Sequence, residues 1–268
     1  MCPMLQNEVG LLTDCPLCQG PDIKKLYSDC GVWVCQRCGM IFRNPLPTPQ
    51  EVTRFYTEAF RPDNVSNNRT GMAGTTNVLA SQYVAYLQAK VGVTGRKILE
   101  FGAGLGITCR VLREFGADVT AIEPFAWSDC RKTGIPTYRS IAELPKHLEF
   151  DVIITLDVIE HLRSPWQPLR ELHDRLKSGG WLYAATPNAA CLRSRLQRDQ
   201  WGEIGKWGHL LFYTPKTLEL ALKKAGFVTC ERVADHVRYS DHFTKHVLHR
   251  ALQCVGLGGE LRYLAQKA

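Results

Sequence analysis

The stretch Lys97–Pro124, KILEFGAGLGITCRVLREFGADVTAIEP, decides the fold. It opens on an apolar strand (Ile98, Leu99) with an acid, Glu100, at its carboxyl end, and passes through a glycine-rich turn at Gly102, Gly104 and Gly106. A helix closed by Gly116 follows, then a second strand ending in Glu123 and Pro124. Glycines in such a turn let the backbone take positive φ and approach a ligand, while the next helix points its free N–H groups at the same place. Strand, tight turn and helix in this order describe a nucleotide pocket.

The dinucleotide fingerprint G-x-G-x-x-G would place its third glycine at Ile107, so the glycines here stop one residue early. A pyrophosphate would be poorly served by Glu100 at the mouth of the loop, whereas a ligand with an α-ammonium group is attracted to it. Glu123, ending the second strand, is placed to accept hydrogen bonds from two ribose hydroxyls, as acids do at that point of doubly wound sheets. An ammonium and a ribose together indicate S-adenosylmethionine.

The segment resembles motif I of the class I S-adenosylmethionine-dependent methyltransferases. Asp151–Pro165, DVIITLDVIEHLRSP, is similar to the strand and turn of one large branch of them, and a later H-x-x-x-Y-T-P-K-T-L stretch begins at His209. The resemblance covers roughly residues 76–268. It implies an α/β, Rossmann-like methyltransferase sheet of seven strands, mostly parallel with one antiparallel strand. It also implies that Pro124, Asp157 and Val158 neighbour the adenine or methionine, beside Glu100, Gly102, Gly104, Gly106 and Glu123.

Ahead of this domain, Cys15-Pro-Leu-Cys18 and Cys35-Gln-Arg-Cys38 form two C-x-x-C pairs separated by sixteen residues. That spacing predicts a four-thiolate zinc site in a ribbon over residues 1–47, with short strands at Lys24–Tyr27, Gly31–Val34 and Met40–Phe42. So small a module cannot bury enough apolar surface to fold unaided, so the metal is expected to supply stability and no chemistry. Cys30 is a spare thiol that could replace one ligand.

Residues 48–75 read as a linking helix and a loop. Thr48, Pro49 and Glu51 spell the helix start, and Val52, Phe55 and Tyr56 share one side of it, a candidate lid. The polar run Arg61–Thr76 has no period and reads as a mobile loop near the pocket mouth or a plain linker. Leu79, Tyr83, Leu87 and Val91 then recur at helical spacing.

Further strands are expected at Ile135–Tyr138, Asp151–Leu156 and Trp181–Thr186, with a helix from Ser164 to a Ser178-Gly-Gly turn. After the strand ending at Thr186, residues 188–213 are an insertion rich in arginine and aromatics, placed where a substrate would lie. Thr214-Pro215 opens a helix ending at Gly226, and Phe227–Val233 and Glu260–Gln266 close the sheet.

A sulfonium is already an activated methyl donor, so the protein's main task is alignment. A hydroxyl acceptor would add the need for a base, which histidine suits by its pKa. His161, beside the cofactor, and His209, in the insertion, qualify by position; His209 reads as the substrate-facing base and His161 as its orienting neighbour.

A net charge of +7 favours an acidic partner such as a phosphorylated metabolite, a sugar nucleotide or RNA. Eleven cysteines, an odd number, argue against a full disulfide framework. The amino terminus has no basic and apolar signal pattern and no apolar run approaches membrane-spanning length, so a cytoplasmic protein with no membrane partner is expected. The leading function is O-methylation of a small molecule, a sugar or a secondary metabolite. The alternatives are an rRNA or tRNA methyltransferase whose ribbon grips RNA, and an inactive cofactor-binding protein. Against RNA, the ribbon lacks a dense basic stripe.

Overall fold

The computed structural model describes residues 10–27, 30–59, 77–234 and 243–268. The polar stretch read as a loop, 61–76, lies outside them. Three strands come first: β1 (Ile23–Tyr27), β2 (Val32–Cys35) and β3 (Ile41–Arg43). After helices α1 (Pro49–Ala59) and α2 (77–90) the chain enters β4 (Lys97–Phe101), α3 (Ile107–Glu114), β5 (Asp118–Ile122), α4 (Trp127–Arg131) and β6 (Thr137–Tyr138). Next come β7 (Phe150–Leu156), α5 (Gln167–Asp174) and β8 (Leu176–Pro187). The rest is α6 (Leu192–Gln197), α7 (Gly202–Gly205), β9 (Leu211–Phe212), α8 (Pro215–Ala225), β10 (Thr229–Arg232), α9 (Phe243–Cys254) and β11 (Glu260–Gln266).

Seven strands form one sheet in the order β10-β11-β8-β7-β4-β5-β6. The strands β8, β7, β4, β5 and β6 pair in parallel, and β11 runs antiparallel to both its neighbours. The chain moves outward from β4 through β5 to β6, then crosses back to β7 on the other side of β4. This reversal opens a crevice at the carboxyl ends of β4 and β7, the place where open α/β sheets hold ligands.

Local signals fix several element ends. Thr48 and Glu51 cap α1 reciprocally, the Thr48 N–H donating to Glu51 Oε2 at 2.6 Å and the Glu51 N–H to Thr48 Oγ1 at 3.2 Å. Thr214 and Thr217 do the same for α8, which stops at Gly226 in the left-handed conformation. Tyr83 and Leu87 on α2 are buried against the sheet, as their spacing predicts. The expected Ser178-Gly-Gly turn is instead part of β8. The pairing with β7 jumps from Phe150↔Leu176 to Val152↔Trp181, so these residues are extruded as a bulge while the strand continues.

A second sheet, β1-β2-β3-β9, is antiparallel throughout, and its fourth strand comes from the insertion at 188–213. Ile41 pairs with Phe212 and Phe42 with Leu211. Beneath this seam, Leu17, Met40 and Phe42 share one apolar cluster with Leu210, Leu211, Tyr213 and Leu218. Lys224 of α8 also donates to the Leu17 carbonyl at 2.8 Å. Ribbon and large sheet therefore pack as one body. Truncating the fully buried Phe42 to alanine should cost about 3–5 kcal/mol, read by urea denaturation as an earlier midpoint in the unfolding of the large sheet itself.

Candidate functional site

A cavity of about 560 Å³ lies at the carboxyl ends of β4, β5 and β7, with Gly102, Gly104, Glu123, Asp157, Val158 and His161 in its wall and Val52 and Tyr56 of α1 closing one side. Gly102 has φ +82°, and a Cβ there would fall 2.3 Å from Val158 Cγ2, so only hydrogen fits. At Gly104 a Cβ would meet nothing within 4 Å, which leaves the backbone open to a ligand. Gly106 is absent from the wall. A side chain there would press on Cys130 Sγ at 3.2 Å, so this glycine serves the packing of α3 on α4.

Glu123 is 4% exposed and gathers three backbone donors. Its Oε2 accepts from the Gly104 N–H at 2.8 Å, and its Oε1 from the N–H groups of Phe125 and Ala126 at 2.8 and 3.0 Å. The carboxylate thus fixes the glycine turn to the end of β5. Pro124 and Phe125 continue the same wall.

Glu100 does not occupy the place expected of it. Residues along a strand alternate in direction, and on β4 it is Phe101 that lines the cavity. Glu100 is buried on the α3 side, where its Oε2 accepts the Cys109 thiol at 2.8 Å. Burial pushes its carboxyl up to about 7, so near neutral pH it is half protonated. The acid that stands in the wall after β7 is Asp157, a non-glycine residue at φ +52°, a backbone conformation that carries strain.

The two histidines are placed differently from their expected roles. His161, in the tight turn Ile159–His161 after β7, is in the cavity wall. Its Nδ1 lies 2.7 Å from the Gly208 carbonyl and 2.7 Å from the Tyr56 hydroxyl, and burial lowers its pKa, keeping it neutral at pH 7. His209 is 6% exposed and outside the wall, packed edge-on against His161 with ring centroids 4.7 Å apart. Burial, then the neighbouring His161, drive its pKa down to about 2. His209 therefore backs His161 and does not face the cavity. Side-chain donor atoms of Glu160, His161 and His209 all lie within 4.8 Å of one another.

Sequence patterns alone do not bring in Tyr56 or Phe125 as a pair. Their rings stack at 4.7 Å with an interplanar angle of 22°, joining α1 to the end of β5 across the cavity. Phe55, one residue earlier, packs on Trp207 of the insertion at 4.7 Å. The shared side of Val52, Phe55 and Tyr56 was readable, but its partners lie some seventy to one hundred and fifty residues away.

In the ribbon, the sulfurs of Cys15, Cys18, Cys35 and Cys38 all lie within 4.8 Å of one another, and none is in a disulfide. Cys15 Sγ and Cys38 Sγ are 3.5 Å apart, and Cys18 Sγ and Cys35 Sγ 3.6 Å. A tetrahedral ion with metal–sulfur bonds of about 2.3 Å needs edges of about 3.8 Å, so the cluster is close to the required shape. Cys30 stands apart, in an apolar cluster with Trp201 and Phe212.

Sheet order, switch point and glycine turn define an α/β fold built to hold a ligand at the crevice. A methyltransferase-domain family model matches residues 72–232, and the chain belongs to this family. It is 30% identical over 118 residues to a ubiquinone biosynthesis O-methyltransferase of Pseudomonas aeruginosa, covering 39% of this chain and 50% of that protein. The chain thus spans about half the length of that relative. Among solved structures, an S-adenosylmethionine-dependent methyltransferase from Thermotoga maritima superposes with a TM-score of 0.57 at 18% identity, over 81% of this chain and 100% of the other. The plantazolicin methyltransferase BpumL, solved with S-adenosylhomocysteine, gives 0.54 at 18% identity, over 81% and 96%. These two likenesses are of fold. Among the described residues no helix is long and apolar enough to cross a membrane.

The raised pKa of Glu100 makes a pH prediction. A carboxyl lifted from 4.5 to about 7 holds its proton more tightly when folded, so it costs stability as pH rises through that window. Glu100→Gln should remove this slope, leaving the variant on the order of 2 kcal/mol more stable than the parent at pH 8 relative to pH 5. Urea denaturation at the two pH values checks it.

Proposed function

We propose that the chain transfers a methyl group from S-adenosylmethionine to a small-molecule acceptor, a hydroxyl of a sugar or a secondary metabolite. The observation that carries this reading is one cavity whose wall holds the Gly102–Gly104 turn, Glu123 and the imidazole of His161 together. The donor set fits the cofactor: a backbone turn without side-chain obstruction at Gly104, and a carboxylate at the end of β5 suited to ribose hydroxyls. The S-adenosylhomocysteine bound by BpumL and the oxygen acceptor named for the Pseudomonas relative support the same class.

When bound, S-adenosylmethionine supplies an already activated methyl group. Glu123, Pro124 and Val158 hold the nucleoside end, and the stacked Tyr56 and Phe125 shield the cavity from water. With its Nδ1 proton held by the Gly208 carbonyl, His161 takes the hydroxyl proton on Nε2 as oxygen gains the methyl group. Asp157 is the acid available to the ammonium group, in place of Glu100. Cys15, Cys18, Cys35 and Cys38 hold a structural zinc with no open coordination position, and reduced thiols suit a cytoplasmic location.

Three experiments test this reading. By calorimetry, Glu123→Ala should weaken S-adenosylhomocysteine binding at least tenfold while His161→Ala stays within about twofold. Methyl transfer, followed across sugar, sugar-nucleotide and phenolic acceptors, should fall on the order of a hundredfold in His161→Ala; unchanged turnover would refute the base. Metal analysis should return one zinc per chain, and chelation should lower the melting temperature.

A further inference from the structure

We propose that Arg43, the last residue of the ribbon's third strand, is a positioning residue for His161, so that the ribbon completes the acceptor side of the site. The inference rests on the proposed role of His161. Arg43 lies outside the residues matched to the methyltransferase family, which begin at 72.

Arg43 is 2% exposed, and its guanidinium is spent largely on the insertion. Nε donates to the His209 carbonyl at 3.1 Å, and Nη2 to the carbonyls of Ile204 at 2.7 Å and Lys206 at 3.3 Å. Nη1 reaches back to the Cys30 carbonyl at 3.3 Å. One planar fork thus gathers three carbonyls from residues 204–209, a short segment whose only helix, α7, has four residues. Lysine, with a single flexible ammonium, cannot reproduce that convergence.

The same segment carries the Gly208 carbonyl, 2.7 Å from His161 Nδ1. Backbone bonds complete the path: the Arg43 N–H donates to the Leu210 carbonyl and the Leu210 N–H to the Glu160 carbonyl, each at 2.8 Å. Arg43 and His161 therefore grip opposite sides of one loop. Burying a guanidinium is costly unless its donors are satisfied, and here they are satisfied by the loop that presents Gly208. Without that grip the carbonyl is free to leave Nδ1, and the imidazole loses the contact that sets its tautomer and orientation.

Space at Gly208 agrees with this arrangement. A Cβ there would come within 2.8 Å of the Tyr56 hydroxyl and 3.2 Å of His161 Nδ1, so the loop is seated against both groups with no room to spare.

The test uses the full-length, metal-loaded chain with ring-nitrogen-labelled histidine, the His161 signals being assigned from His161→Ala. Arg43→Lys should bind S-adenosylhomocysteine within about twofold of the parent, yet shift the His161 Nδ1 resonance and lower the imidazole's pKa further, because the Gly208 carbonyl that favours the protonated ring no longer holds Nδ1. A folded Arg43→Lys with an unchanged His161 signal and titration would overturn the proposal. Should that variant fail to fold, hydrogen exchange on the parent decides. The amides of 203–210 should share the protection of Phe42 and Arg43, and exchange there at least tenfold faster than in β3 would also overturn it. Neither readout uses turnover. Unchanged methyl transfer in His161→Ala would sink the base while leaving the Arg43 result standing.

Discussion

Two residue pairs, Ile41↔Phe212 and Phe42↔Leu211, join the two halves of this molecule, and much else depends on them. A ribbon of this size has too little core to stand alone, and a third strand with an open edge invites unwanted pairing. The two-residue strand β9 answers both needs. It covers the edge of β3, and the side chains around it let Leu17, Met40 and Phe42 enter the apolar layer on one face of the large sheet. The same seam brings Arg43 under the insertion and the insertion over His161. Stability of the ribbon and shape of the site thus come from one short stretch of backbone pairing.

Features set by near neighbours were legible in the sequence. The glycine turn, the capping of α1 and α8 and the paired cysteines each rest on residues a few positions apart, so their chemistry is local. The seven-stranded, mostly parallel sheet with its one antiparallel strand was expected from the resemblance to the methyltransferase family. The direction of Glu100 was in principle legible too. Alternation along β4 places Phe101 at the cavity and sends Glu100 to the α3 side, and the charge argument overrode that period.

Other features depend on contacts distant in sequence. His161 and His209 both sit near turns at the ligand end of the sheet, and nothing within either turn says which ring reaches the cavity. The decision is made by α1, whose Tyr56 meets His161, and by Glu203 and Arg43, which surround the stretch leading to His209. Likewise Ser178-Gly-Gly has turn chemistry, but β7 on one side and β11 on the other keep the strand continuous, so the extra residues leave as a bulge.

Beneath the cavity, burial decides the charge state of His161. Glu160 Oε1 lies 3.9 Å from His161 Nε2, a separation at which an ionised carboxylate would stabilise an imidazolium and spoil it as a base. Glu160 is almost wholly buried, however, and burial followed by the nearby Asp157 raises its pKa well above the usual carboxylate range. One oxygen accepts from Thr186 Oγ1 at 2.8 Å while the other has no hydrogen-bond partner among the described residues. Such an acid takes up a proton in preference to keeping a charge that low-dielectric surroundings cannot solvate. Desolvation is the largest influence on His161 and lowers its pKa, with the Gly208 carbonyl acting against it, and His209 behind it adds no positive charge. The imidazole in the wall is thereby left uncharged at neutral pH, the state a proton acceptor requires.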